Sequence, residues 1–169
     1  MQGGPARAGE APAAAELSGT NAEVELGPFY HYFEDPTGAL GLRDVMDGAM
    51  AARFKPLREQ KPNFGYTKSA MWVMAGLDNK LASPSEWLLE IPFPTLDSVE
   101  VYLAGADGRE LARYTAGDLL PFGARPSPHR HFVFPVSPPP GERSVLFMRF
   151  KSQGSMTVAS TLWPPALFN

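Results

Sequence analysis

The chain has no cysteine, no long apolar run and no concentration of positive charge. Without cysteine, its 169 residues can form neither a disulfide framework nor a Cys-based zinc site, and the redox compartment stays open. The longest apolar run, Met71 to Leu77, is far shorter than the ~20 residues of a membrane-spanning helix. Fifteen Lys and Arg against eighteen Asp and Glu give a net charge of −3. With no basic cluster to neutralise phosphates, no nucleic-acid partner is expected.

The short motifs of the common enzyme classes are also absent. There is no G-x-S-x-G, P-loop, H-E-x-x-H or G-x-G-x-x-G pattern. Glu34 and Asp35 are adjacent carboxylates, but neighbours on an extended chain point in opposite directions and cannot form a glycosidase pair. Asp35, before Pro36, is interpreted as a turn residue. We therefore expect no catalytic activity and no cofactor, with a hydrolase using Glu90 or Glu100 as the remote alternative.

Proline and glycine are abundant, and they favour an all-β fold. Eighteen Pro and sixteen Gly penalise long helices and favour short strands joined by turns. After the turn-like residues 61–65 the apolar segments are short and bounded by turn residues, which is typical of a β-sandwich. Asp107-Gly108 predicts a hairpin. The predicted strands cover about 69–79, 86–92, 98–104, 109–114, 129–136, 144–151 and 156–162.

The first third of the chain divides into an irregular leader and the start of the folded domain. Residues 1–23 lack aromatic residues and apolar periodicity, so they predict a disordered leader or an expression remnant, and residues 24–169 the domain. The leader has no apolar stretch of signal-peptide type, so an export signal would already have been removed. Alternation from Phe29 predicts a strand ending at a turn that begins with Asp35. Helical spacing then predicts one short helix over about 42–53, whose apolar face packs on the core.

Histidines and acidic loops give little support for a metal site. His129 and His131 would share one side of a strand, but no third ligand is close in sequence, and the segment RPSPHRH adds two cations that repel a divalent ion. The segments FEDPTG and GLDN lack the dense Asp and Asn spacing of strong calcium loops. We expect no bound metal.

Polar and aromatic residues on the non-core faces of strands are better candidates for a binding site. Aromatic planes stack on ligands and charged side chains hydrogen-bond them, so together they could line a shallow cleft. The alternative is that the tryptophan belongs to the core and the charged residues are simply solvated at the surface. The candidate ligand-binding residues are Trp72, Glu90, Tyr102, Arg125, His131 and Arg149.

Five motifs, in order, resemble a known family over about residues 24–168. The chain is similar to the extracellular domain 2 of bacterial seven-transmembrane receptors with diverse intracellular signalling modules. The motifs are LGPFYHYFEDPTGALGLRDV, WVMAGLDN, WLLEIPFPTLDSVEVYLAGADG, GDLLPFGARPSPHRHFVFPV and LFMRFKSQGSMTVASTLWPPALF.

The resemblance implies a jelly-roll β-sandwich, similar to carbohydrate-binding modules, on the periplasmic side of the bacterial inner membrane. In such receptors the domain precedes seven transmembrane helices, and we expect it to bind a small polar molecule (a sugar, an amino acid or another carboxylate). The cytoplasmic output would be a diguanylate cyclase or a histidine kinase. The alternative is a protein-interaction or dimerisation module of the same receptor without its own ligand.

Several residues match the family pattern position by position. The FED motif begins at Phe33, the strand tryptophan is Trp72, the loop arginine is Arg125, and the arginine of the penultimate strand is Arg149. Family members often carry an arginine in the strand that ends in LDN, where this chain has Met74 or Ala75. This departure argues against assuming the same ligand as other members.

Overall fold

Short strands make up most of the chain, which confirms the all-β class. The computed structural model describes residues 13–57, 63–92, 97–117, 131–152 and 155–168. The strands are β1 (Ala14–Leu17), β2 (Val24–Glu25), β3 (Tyr30–Asp35), β4 (Lys55–Pro56), β5 (Asn63–Tyr66), β6 (Ala70–Asn79), β7 (Trp87–Ile91), β8 (Ser98–Gly105), β9 (Glu110–Ala116), β10 (Phe132–Val136), β11 (Arg143–Lys151), β12 (Ser155–Thr157) and β13 (Thr161–Trp163).

The strands form two main sheets and a small ribbon. Sheet A has the order β4-β3-β6-β11-β8-β9, with β1 paired in parallel to the end of β6. Sheet B has the order β10-β7-β13-β2, and β12 pairs with β5 in the ribbon. Apart from β1, every described pairing is antiparallel.

The main core lies between the two sheets. Successive side chains of a strand point to opposite faces, so alternate residues of each sheet meet in the middle. Val73 and Leu77 of sheet A, and Leu89 and Ile91 of sheet B, are fully buried in one apolar cluster. Burying each such side chain contributes about 1.5–3 kcal/mol. This arrangement is a β-sandwich, while its jelly-roll connectivity stays a prediction.

Sheet A also buries part of its outer face, beneath residues 38–54, which we call the cover. Its helices are α1 (Leu42–Met46) and α2 (Gly48–Ala51). The prediction of a single helix over 42–53 was therefore wrong. Asp47 interrupts it with a ψ of 138° and accepts a hydrogen bond from the Ala49 N–H, which begins the second helix.

The cover and the sheet share a second apolar cluster, the outer core. Helical spacing correctly predicted that the cover would turn an apolar face inward: Leu42 and Val45 are buried there. The sheet contributes aromatic side chains from four neighbouring strands, β3, β6, β11 and β8. The buried members of the outer core are Phe33, Leu42, Val45, Phe54, Trp72, Tyr102, Ala104 and Phe147.

The expectation of a disordered leader fails for the part of it that the structure describes. The apolar side chains of β1, Ala15 and Leu17, are fully buried in the main core. The Lys80 N–H donates to the Leu17 carbonyl over 2.9 Å, which fastens the strand to the end of β6. Residues 1–12 lie outside the described residues.

Most predicted strands are present, with two corrections at the C-terminal end. The segment predicted as one strand over 156–162 is split, because β12 pairs with the ribbon whereas β13 pairs with sheet B. The strand predicted from residue 129 is described from Phe132 onward, and residues 129 and 130 lie outside the described residues. The hairpin at Asp107-Gly108 is confirmed: Gly108 has a φ of 83° and donates its N–H to Gly105 over 2.9 Å.

Replacing Leu17 tests whether β1 belongs to the domain. Leu17→Ala should lower the free energy of unfolding by about 2–5 kcal/mol, because it opens a cavity in the main core. Glu16→Ala is the matched control, since Glu16 lies on the same strand and is exposed. Urea unfolding followed by tryptophan fluorescence measures both. Equal, small effects of the two changes would mean that β1 adds nothing to stability.

Candidate functional site

A row of side chains crosses the outer face of sheet A beside the cover. In the strand register Arg149 of β11 lies opposite Glu100 of β8 on one side and Trp72 of β6 on the other. Phe33 of β3 continues the row beyond Trp72. The sequence neighbours of Trp72, Glu100 and Arg149 are buried in the main core, so alternation turns these three side chains outward. The antiparallel register thus aligns a carboxylate, a guanidinium group and two aromatic rings in one row.

Arg149 connects the sheet to the cover. Its Nη1 donates to Glu100 Oε2 and its Nη2 donates to the Gly38 carbonyl, both over 3.0 Å. The arginine side chain is only 12% exposed, so water competes weakly for these hydrogen bonds. Gly38 adopts a φ of 66°, which favours glycine, in the turn that leads into the cover. Arg149 therefore has a structural role whatever else it binds.

Tyr102 lies at the centre of the same network. Its hydroxyl donates to Glu100, and its ring stacks on Trp72 with 6.1 Å between centroids and an angle of 20° between planes. The Arg113 guanidinium lies over the ring at 5.1 Å. Burial raises the pKa of Tyr102, and the hydrogen bond and charge of Glu100 raise it further, against opposing effects of Arg113 and Arg149. Tyr102 is thus a neutral hydrogen-bond donor at physiological pH.

Trp72 is part of the outer core and does not line an open cleft. It is fully buried, and among the described residues its indole Nε1 has no hydrogen-bond acceptor. Leaving such a donor unpaired costs about 1–3 kcal/mol. A buried donor of this kind is a place where an added acceptor would be stabilising.

Asp35 organises the turn that carries Gly38. Its carboxylate accepts the Thr37 hydroxyl over 2.9 Å and the Leu40 N–H over 3.0 Å, which confirms its interpretation as a turn residue. Burial alone raises the pKa of Asp35, but hydrogen bonds from Leu40, Thr37 and Gly38 outweigh it and the net pKa is lowered. The ionised carboxylate is the form that the turn requires.

Glu90 and His131 form a separate group on the outer face of sheet B. His131 Nδ1 lies 2.7 Å from one carboxylate oxygen of Glu90, and Trp163 Nε1 donates to the other over 3.0 Å. Leu89 and Ile91, on either side of Glu90, point into the main core. The five described candidates therefore do not share one cleft, because the sandwich separates this pair from the group around Arg149.

Arg125 and His129 lie outside the described residues. Among the residues that the structure does describe, no three His, Asp or Glu side chains gather into a metal-binding group. Two contributors to the network were not among the predicted site residues. Glu100 lies two residues before Tyr102 on β8, so strand alternation was the available signal, whereas the Gly38 carbonyl gave none in the sequence.

A concave pocket adjoins this network at one end of sheet A. Ser98 of β8 pairs with Lys151 of β11, two residues along each strand from the pair of Glu100 and Arg149. The pocket, which we call the lysine pocket, has a volume of about 850 Å³. It is lined by Tyr66, Thr67, Lys68, Asp97, Ser98, Lys151 and Ser152.

Comparison with known families agrees with this architecture. A family model described as 7TMR-DISM extracellular 2 matches residues 27–164. The chain belongs to this family. Members of 7TMR-DISM extracellular 2 are the extracellular sensor part of seven-transmembrane receptors. In the described part of this chain no helix is long and apolar enough to cross a membrane. A comparison with curated proteins finds no match.

The match to 7TMR-DISM extracellular 2 includes the cover and every described strand except β1 and β2. The matched range begins in the 3₁₀ turn Gly27–Phe29 before β3 and ends just after β13. It includes the Asp35 turn, Trp72, Tyr102 and Arg149. The strands β1 and β2 precede the matched range, and β1 contributes Ala15 and Leu17 to the main core.

Stability at acid pH tests the role of Asp35. Its folded pKa lies below the usual 3.8, so its contribution is present above that pH and is lost as the pH falls through the lowered value. Asp35→Asn should therefore destabilise the domain at about pH 7, and the difference from wild type should shrink by about pH 2. Urea unfolding at both pH values measures this. A difference that stays constant would show that the ionised form is not what the turn needs.

Truncating Arg149 tests the connection between sheet and cover. Arg149→Ala should lower the free energy of unfolding by about 2–3 kcal/mol, because it removes a charge-assisted pair and leaves the Gly38 carbonyl unpaired. Arg113→Ala is the matched control: Arg113 is exposed and also faces Tyr102, so its loss should change stability little. Equal unfolding midpoints for Arg149→Ala and wild type would remove Arg149 from the framework of the fold.

Proposed function

We propose that this domain is the periplasmic ligand-sensing part of a bacterial membrane signalling receptor and itself catalyses no reaction. Its ligand is a small polar molecule of the sugar, amino acid or carboxylate class. The signal passes through transmembrane helices of the receptor to a cytoplasmic output, a diguanylate cyclase or a histidine kinase. Family membership supports the sensor role.

The observation that carries the ligand-binding part is the group on the outer face of sheet A. Tyr102 and Arg149 supply the polar groups there, and the Tyr102 ring stacks on the buried Trp72, whose indole N–H has no acceptor among the described residues. Aromatic planes beside charged hydrogen-bonding groups suit a polar ligand. The Glu90–His131 pair is left out of this site, because it lies on the other sheet.

The cover gives the site a means of signalling. It is held to the sheet by the outer core and by the hydrogen bond from Arg149 to Gly38. A ligand shifts a conformational equilibrium only by the difference between its affinities for the two states. A ligand that contacts both Arg149 and the turn of Gly38 would distinguish an attached cover from a released one.

A thermal-shift screen against sugars, amino acids, organic acids and Ca²⁺ tests the proposed function. A ligand at about 100 times its Kd should stabilise the fold by about 2.7 kcal/mol, which is a visible shift for a domain of this size. Arg149→Lys keeps the charge but loses the two-pronged donor, so it should weaken binding, whereas Arg113→Lys should not. No stabilisation by any compound, together with a concentration-dependent dimer in sedimentation, would favour the dimerisation module instead.

A further inference from the structure

The lysine pocket differs in charge from the protein as a whole. The chain carries a net charge of −3, yet the pocket lining holds two ammonium groups, Lys68 and Lys151, and one carboxylate, Asp97. Within the described part of the chain no carboxylate lies within 4.0 Å of either ammonium. The lining is therefore locally positive in an acidic protein.

The pocket also offers an aromatic surface and hydroxyl groups. Tyr66 is 81% exposed, which is unusual for so large an aromatic side chain, and it stands at the pocket on the ribbon strand β5. Thr67 and Ser98 add hydroxyl groups to the lining. A volume of about 850 Å³ is ample for a small molecule.

The lysine pocket lies directly beside the Arg149 network. Lys151 is two residues beyond Arg149 on β11, so both side chains lie on the outer face of sheet A. The backbone of Gly38 passes between them: a methyl group built on its Cα would lie 3.4 Å from Lys151 Nζ and 3.6 Å from Arg149 Nη2. A group bound by Lys151 would thus lie beside the turn that holds the cover.

From this arrangement we propose that the lysine pocket binds a small organic anion, with its carboxylate or phosphate oxygens on Lys68 and Lys151 and its planar or apolar part against Tyr66. This inference rests on the proposed sensor function and names the charge class of its ligand. An ammonium group attracts an anionic oxygen more strongly than a neutral one, because the Coulomb attraction between opposite charges adds to the hydrogen bond. Neutral sugars and amides are accordingly poor ligands.

Isothermal titration of the whole chain with matched pairs of probes tests this inference. The pairs are phenylacetate with phenylacetamide and glucuronate with glucose, and phenyl phosphate distinguishes phosphate from carboxylate. We expect the acid of at least one pair, or phenyl phosphate, to bind while the neutral partners do not. The affinity should fall as NaCl is raised, since salt screens the charges. Equal affinity for acid and neutral partner would overturn the proposal.

Lysine variants locate the bound anion. The double variant Lys68→Gln/Lys151→Gln should raise the Kd of the binding probe about tenfold or more. Lys80→Gln is the matched control, because Lys80 pairs with Asp78 over 3.2 Å at the opposite end of β6 and should leave the Kd unchanged. An unchanged Kd in the double variant would also overturn the proposal.

The outcomes separate this inference from the proposed function. If some compound of the wider screen binds but the lysine variants do not weaken it, the domain is a sensor and the lysine pocket is not its site. If no anionic probe and no compound of the wider screen binds, both the pocket proposal and the sensor proposal fail. Anion binding that is lost in the double variant supports both.

Discussion

The contact on which the outer half of this domain depends is the hydrogen bond from Arg149 to the Gly38 carbonyl. Its two partners are 111 residues apart in sequence, and one belongs to the sheet while the other begins the cover. Asp35 holds the turn in which Gly38 lies, and Glu100 holds the guanidinium in place. These few polar contacts link the cover, which packs on the outer core, to the charged side chains of Arg149 and Glu100.

This arrangement explains why one sheet has two buried faces. An antiparallel sheet commonly packs one face on the core and leaves the other to water. Here the outer face of sheet A carries aromatic side chains, and the cover buries them. The cover is short, and its two helices, which are separated at Asp47, have only five and four residues. Segments with so few contacts belong to the low-stability part of a fold, which is where ligand-responsive elements are found.

Local patterns allowed much of the fold to be predicted. The strand β6 and the Asp107-Gly108 hairpin follow from an apolar run and a turn dipeptide, and both are present. The strand β1 was missed, because Ala14–Leu17 lies in a small-residue stretch and is stabilised by pairing with distant β6. The single predicted helix failed at Asp47, where a side-chain cap begins a new helix in the middle of a continuous apolar pattern.

The candidate site was harder to predict than the fold, because it depends on which sheet each strand joins. Alternation correctly placed Tyr102 and Arg149 on non-core faces, but it could not tell that Glu90 belongs to the opposite side of the sandwich. The lysine pocket brings the end of β11 to Tyr66 and Lys68, which lie more than eighty residues earlier in the chain. Local sequence patterns cannot predict contacts between residues so far apart in the chain.

Amide hydrogen exchange tests most directly whether Arg149 fastens the cover to sheet A. In Arg149→Ala the amides of the cover should exchange faster than in wild type, while the amides of β6 and β11, the two central strands of sheet A, keep their protection. An anion bound in the lysine pocket should slow exchange of the same segment in wild type. Unchanged exchange of the cover in Arg149→Ala would contradict the account, because the cover would then be held without the hydrogen bond to Gly38.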